Sequence, residues 1–139
     1  MSENTIQFEL VSPEEKLISQ PVQMAVIPGE EGEFGVQVGH SALVASLKPG
    51  VVTLTDEQGE KRKIFITGGF ADVTAQLCTV LAEEAVNVDD LDVAAIEQQL
   101  ANLKEDLGLA AEALDKARIN KKIALAKARL SAATGQLVA

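Results

Sequence analysis

Side chains able to move a proton, hold a metal or attack a carbon are sparse in this sequence: one histidine, His40, one cysteine, Cys78, and adjacent carboxylates such as Glu30-Glu31 and Glu83-Glu84. Carboxylate pairs can do acid and base work. Neighbours along a strand, however, project to opposite faces, so these pairs read as solvated surface. One histidine cannot build a multi-histidine metal site. No phosphate loop, His-Glu-x-x-His, paired Cys-x-x-Cys or Gly-x-Ser-x-Gly pattern occurs. Catalysis has no motif to rest on, and a non-enzymatic role is expected. The unpartnered Cys78 rules out an intramolecular disulfide and favours a reducing compartment.

Charge carries more information. Residues 1–115 hold 6 Lys or Arg against 21 Asp or Glu, a net of −15, whereas residues 116–139 hold 6 basic residues and no acid, a net of +6. Such asymmetry speaks to partners rather than to fold. The six cations are Lys116, Arg118, Lys121, Lys122, Lys127 and Arg129, a basic segment suited to an acidic surface. Nucleic acid is an unfavourable partner for the whole chain, which carries net −9 and neither Trp nor Tyr for stacking. Met1 to Thr5 lacks the basic start and apolar run of an export signal. No apolar run approaches the roughly 20 residues that span a bilayer, so direct membrane insertion is not expected.

The elements that position these residues change character near Val88. Before it, Ile6, Phe8 and Leu10 alternate with polar neighbours, as do Val22, Met24 and Val26, and Ile64 and Ile66. This period of two predicts half-buried strands. Pro49-Gly50, Asp56-Glu57-Gln58-Gly59 and Gly68-Gly69 supply the reversals, and the last strand is expected over Leu77 to Glu84. Short strands at this spacing suggest a β-sandwich or flattened barrel.

After Val88 the period changes. Asp89 or Asp90 is the expected helix cap, with Asp92 favouring the positive end of the dipole. Ile96, Leu100, Leu103 and Leu107 form one helical stripe, interrupted by Gly108, and Ile119, Ile123, Ala126 and Leu130 form a second that ends before Gly135. Numerous alanines favour helix and close backbone approach but bury little area. The pair is expected to be marginal alone. The fold class is therefore α+β in two modules, an N-terminal β-sandwich over residues 1–86 followed by a C-terminal antiparallel α-helical hairpin over residues 89–135.

Three segments in order resemble a known family. Gly32-Glu33-Phe34-Gly35-Val36-Gln37-Val38-Gly39-His40-Ser41-Ala42-Leu43 with Leu47-Lys48-Pro49-Gly50, then Gly68-Gly69-Phe70-Ala71-Asp72-Val73, then Val80-Leu81-Ala82, are similar to the landmarks of the epsilon subunit of F-type ATP synthases. The opening Phe8-Glu9-Leu10-Val11-Ser12-Pro13 is similar too. The resemblance implies a non-catalytic rotor subunit that couples proton translocation to ATP synthesis, peripheral on the cytoplasmic face of the bacterial inner membrane. Its sandwich would hold the gamma subunit and the c-ring, and by position Glu31, Glu33 and His40 match the loop facing them. His40 has two readings: direct contact with a partner, or a structural ring bonded to a backbone carbonyl.

For the tail the resemblance implies a brake on ATP hydrolysis, with the hairpin opening so that the six basic residues meet the alpha and beta subunits of the catalytic sector. A solvated basic face is the plainer alternative. An ATP-sensing hairpin is a second possible role, since some relatives bind ATP through a pattern that here falls on Leu91-Asp92-Val93-Ala94-Ala95-Ile96. Leu91, Asp92 and the distant Arg129 match it. Ala95 replaces its arginine and Ile96 its alanine, and Val86 stands where the best binders carry glutamate. Losing the planar multi-donor cation makes ATP binding weak or absent, and no cofactor is expected. Gln37-Val38 also departs from the family, which usually has proline before the glycine matching Gly39.

Overall fold

The computed structural model describes residues 4–136 and divides into two compact units, one ending at Asn87 and one beginning at Val88. Ten strands make up the first: β1 Ile6–Val11, β2 Lys16–Val22, β3 Met24–Gly29, β4 Gly32–Val36, β5 Leu43–Leu47, β6 Gly50–Thr55, β7 Lys61–Ile66, β8 Gly69–Val73, β9 Leu77–Ala82 and β10 Ala85–Asn87. They are hydrogen-bonded in the order β10-β7-β6-β3-β5-β8-β9-β1-β2, with β4 beside β3. Folded over on itself, this ladder is the expected β-sandwich. All pairings are antiparallel except β1 with β9, which run parallel.

Alternation sets the core. Ile6, Phe8 and Leu10 of β1 are buried, as are Val52 and Leu54 of β6, Ile64 and Ile66 of β7, and Ala71, Val73, Cys78, Val80 and Ala82 of β8 and β9. No polar or charged residue is buried among those described, so no desolvation cost is carried inside. Local chemistry makes the reversals: the Asp56 carboxylate accepts from the amides of Gln58 and Glu60, both at 2.9 Å, an Asx arrangement that turns β6 into β7. Thr74 does the same for β8 into β9, its Oγ1 accepting from Leu77 N at 3.1 Å.

Two expectations about strands are corrected. The inward residues of β3 are Ala25 and Ile27, not Met24 and Val26, which are half-buried. A bend at Gln23 separates β2 from β3, and one residue outside the ladder inverts the facing of every side chain beyond it. The last strand is β10 rather than Leu77 to Glu84. It pairs Ala85, Val86 and Asn87 with Ile66, Phe65 and Ile64, and is too short for period-two patterning to register.

In the second unit a 3-10 turn over Val88–Asp90 precedes α1 (Val93–Leu109) and α2 (Ala113–Thr134). The cap of α1 is Asp92, not Asp89 or Asp90, which lie in that turn. Gly108 does not break α1, which runs on to Leu109. A lone helical glycine costs only about 1 kcal/mol, and the chain leaves the helix two residues later at Ala110. Helix α2 ends on Gly135 with φ 72°, a left-handed cap whose N–H donates to Ser131 O at 2.9 Å. Leu100, Ile123 and Ala126 are buried between the helices, with Leu103, Leu107, Ile119 and Leu130 packed around them. Most other helical alanines, including Ala94, Ala95, Ala101, Ala117 and Ala124, face solvent.

Candidate docking surfaces

The reversal from β3 to β4 projects Glu30, Glu31 and Glu33 into solvent. Its position is fixed from below, because Glu30 N donates to Ser46 O at 3.0 Å and ties the turn to β5. Together these residues bound a cleft of about 520 Å³ with Phe34, Leu43, Val44 and Ala45. An acidic rim over an apolar floor suits a segment that presents a cation beside aliphatic side chains.

His40 lies past the other end of β4 and does not share that cleft. It lines a shallower one of about 310 Å³ with Met24, Gly35, Gln37, Val38 and Gly39. Its ring is half-exposed, and Nδ1 lies 2.7 Å from Ser41 O. The backbone bond expected of a structural ring is therefore present. Glu31, Glu33 and His40 thus serve two clefts separated by the length of one strand.

A third surface escaped the sequence reading. On the outer face of the sandwich Phe70 is 56% exposed, Leu81 45% and Val44 73%. Phe70 is the register partner of Leu81, and Leu81 of Val11 on β1. Val44 pairs with Asp72, two residues from Phe70 on β8, which makes it a diagonal neighbour of Phe70. The result is an apolar patch on β5, β8 and β9. Glu9, one strand further, is held by Lys16 Nζ at 3.2 Å and Ser19 Oγ at 3.3 Å. The available signal was the phase of β8: with Ala71 and Val73 inward, Phe70 must point out. An exposed phenylalanine in a chain with only four, set beside two other exposed apolar side chains, makes this patch a candidate docking surface.

Within the helical unit, Lys116, Arg118, Lys121 and Lys122 are exposed, while Lys127 and Arg129 are half-buried. The basic segment is therefore not one uniform face. At the closed end of the hairpin Arg118 and Lys122 line a cleft of about 320 Å³ together with Asp106 and Asp115, so acids temper the cations there. Leu109 and Leu114 at the same end are 79% and 62% exposed.

Leu91 and Arg129 are half-buried, and the Asp92 carboxylate accepts from Ala95 N at 3.1 Å. No group of three or more metal-ligating side chains occurs among the described residues. Cys78 is fully buried, and burial, assisted by the charge of Asp72, pushes its thiol up to about 12.

The first unit is a strand sandwich that presents apolar and acidic surfaces to solvent, and the second is a pair of helices. Residues 5–88 match the family described as ATP synthase, Delta/Epsilon chain, beta-sandwich domain. An ATP synthase epsilon chain of Rhodospirillum centenum is 40% identical over 136 residues, covering 94% of this chain and 93% of its own length. One from Rhodospirillum rubrum is 41% identical over 131 residues, covering 94% and 98%. Among solved structures, a chain of the Euglena gracilis mitochondrial ATP synthase, OSCP/F1/c-ring in rotational state 1, superposes with a TM-score of 0.82 at 27% identity, over 98% of this chain and 84% of that one. A chain of the Tetrahymena thermophila mitochondrial ATP synthase central stalk/c-ring shares the fold, with a TM-score of 0.68 at 11% identity. The protein belongs to the ATP synthase delta/epsilon chain family.

Proposed function

We propose that this chain is a non-catalytic central-stalk subunit of an F-type ATP synthase, coupling proton translocation to ATP synthesis. The sandwich docks the gamma subunit with the outer patch of Val44, Phe70 and Leu81, and meets the c-ring with the acidic loop of Glu31 and Glu33. The observation that carries this reading is the patch, in which Phe70 and Leu81 are register partners, Val44 lies diagonal to Phe70, and all three are left in solvent. That is the cost a subunit bears when its partner covers the face. No helix among the described residues is long and apolar enough to cross a membrane, in keeping with a peripheral subunit held by its neighbours at the cytoplasmic face of the inner membrane.

The hairpin serves as a brake on ATP hydrolysis. Its exposed Lys116, Arg118, Lys121 and Lys122 meet acidic segments of the alpha and beta subunits, with Lys127 and Arg129 joining once the helices separate. Support comes from the absence of any acid after Asp115. ATP itself binds weakly or not at all, because Asp92 is engaged as a helix cap and residue 95 is alanine.

One experiment tests both halves. The full chain, and a full chain carrying Arg118→Glu, Lys121→Glu and Lys122→Glu, are added to an epsilon-depleted catalytic sector. Both bind gamma and only the unmodified chain slows hydrolysis. Failure of the unmodified chain to bind gamma removes the stalk assignment, and equal rates with the two chains remove the brake.

A further inference from the structure

We propose that the open edge of β7 over residues 61–63 is a strand-addition site for an acidic, extended segment of a partner polypeptide. The outer patch and the acidic loop lie on other strands, so failure here leaves the stalk assignment untouched.

Hydrogen-bond phase opens the edge. On one side β7 pairs with β6 along its whole length, from Lys61 opposite Thr55 to Ile66 opposite Gly50, whereas on the other β10 covers only Ile64, Phe65 and Ile66. The chain then leaves β10 for the 3-10 turn at Val88. Continuing these two ladders, Asp56 N donates to Glu60 O at 2.9 Å and Thr67 N to Glu84 O at 3.2 Å. Backbone polar groups in antiparallel pairing alternate sides residue by residue, so the even-numbered residues of β7 bond to β6 and the odd-numbered ones face the side of β10. Lys61 and Lys63 therefore direct two N–H donors and two C=O acceptors, with the residues about 7 Å apart, at an edge that no described residue fills.

Charge selects what can fill it. Lys61, Arg62 and Lys63 are three of only 5 basic residues within residues 1–87, against 13 Asp or Glu, and all three side chains are exposed. Arg62 Nε donates to Asn87 Oδ1 at 3.3 Å, while neither lysine has an ion pair or side-chain hydrogen bond among the described residues. Both lysines share the face turned away from the core, since their register partners Thr55 and Thr53 flank the buried Leu54. Edge lysines oppose self-association, and a second copy pairing along this edge would set lysine against lysine. A segment with carboxylates two residues apart meets both lysines instead, and its main chain satisfies the four edge groups. An anionic lipid surface would answer the charge but supply no strand to those groups.

The test uses the full chain and the peptide acetyl-Thr-Glu-Val-Glu-Thr-amide at millimolar concentration, followed by amide hydrogen exchange and nitrogen-15 shifts. Exchange is expected to slow at Lys61 and Lys63 and to stay unchanged at Arg62, whose N–H already bonds to β6. Lys61→Glu with Lys63→Glu, both on an exposed face, should keep the melting temperature and weaken the peptide by at least about tenfold, because like charges then meet. N-methylating the two glutamates of the peptide should abolish the protection. No protection, equal slowing at all three residues, undiminished binding to the doubly substituted chain, or protection by the N-methylated peptide overturns the proposal. Equal slowing by phosphatidylglycerol vesicles also overturns it and assigns the cations to a membrane surface.

Discussion

The Asp92 carboxylate accepts a hydrogen bond from the backbone N–H of Ala95 at 3.1 Å, closing the first turn of α1. A residue that could be taken for a nucleotide ligand is thereby shown in use as a helix cap. Asp92→Ala is expected to cost about 1 kcal/mol of helix stability, the typical worth of an N-cap, whereas Asp92→Asn retains most of it. Amide exchange at residues 93–96 reads this directly, with faster exchange in the alanine variant alone.

Gly69, with φ 144°, lies against the backbone of β9 so closely that an added Cβ would overlap the carbonyl oxygen of Leu81. Gly69→Ala should therefore destabilise the sandwich by at least about 2 kcal/mol, combining left-handed strain with displaced backbone. Gly108→Ala is the contrasting change: an added Cβ there would meet nothing within 4 Å, and a helical alanine is worth up to about 1 kcal/mol over glycine. Urea denaturation of the two variants should shift the midpoint in opposite directions.

Substituting the outer patch separates docking from folding. Phe70→Thr with Leu81→Thr keeps β propensity on a face already exposed, so melting should hardly change. Removing two central apolar anchors typically costs about 2 kcal/mol or more, a fall of at least about thirtyfold in affinity for gamma by titration calorimetry. Unchanged affinity would move the gamma site elsewhere on the sandwich.

Cys78 sets an alkaline limit. Its folded-state value is raised from 9.0 to about 12, first by desolvation and then by the charge of Asp72. A folded value above the unfolded one contributes stability that is fully present below pH 9 and is lost as pH rises from 9 toward 12, by up to about 1.4 kcal/mol per unit. The slope of unfolding free energy over that range should flatten in Cys78→Ala. In the native chain the thiol should resist alkylation at pH 8 and react promptly in denaturant, because the thiolate is the nucleophile.

Much of the architecture was legible because Ile6, Phe8 and Leu10, and later Leu100, Ile123 and Ala126, repeat with the period of their element. Phase was harder than period. The bend at Gln23 exchanged the inner and outer residues of β3, and no propensity marks one skipped ladder position. Asp89, Asp90 and Asp92 are equivalent as caps on paper, and only the 3-10 turn before α1 selects the third. The outer patch was hidden for a related reason: Phe70 and Ala71 are both apolar, and alternation assigns two faces without saying which one solvent meets. His40 stands between these cases: a bond to a backbone carbonyl was one of its two readings, and only the structure shows that its partner is Ser41 O.

The parallel pairing of β1 with β9 joins Phe8 to Cys78 across seventy residues of chain. During synthesis the first strand must wait, unpaired on that side, until almost the whole sandwich has left the ribosome. The helical hairpin, whose contacts are local, needs no such wait and can form as soon as α2 emerges. The nascent protein is thus most exposed to misassembly before β9 appears, when its earliest strand still has an open edge.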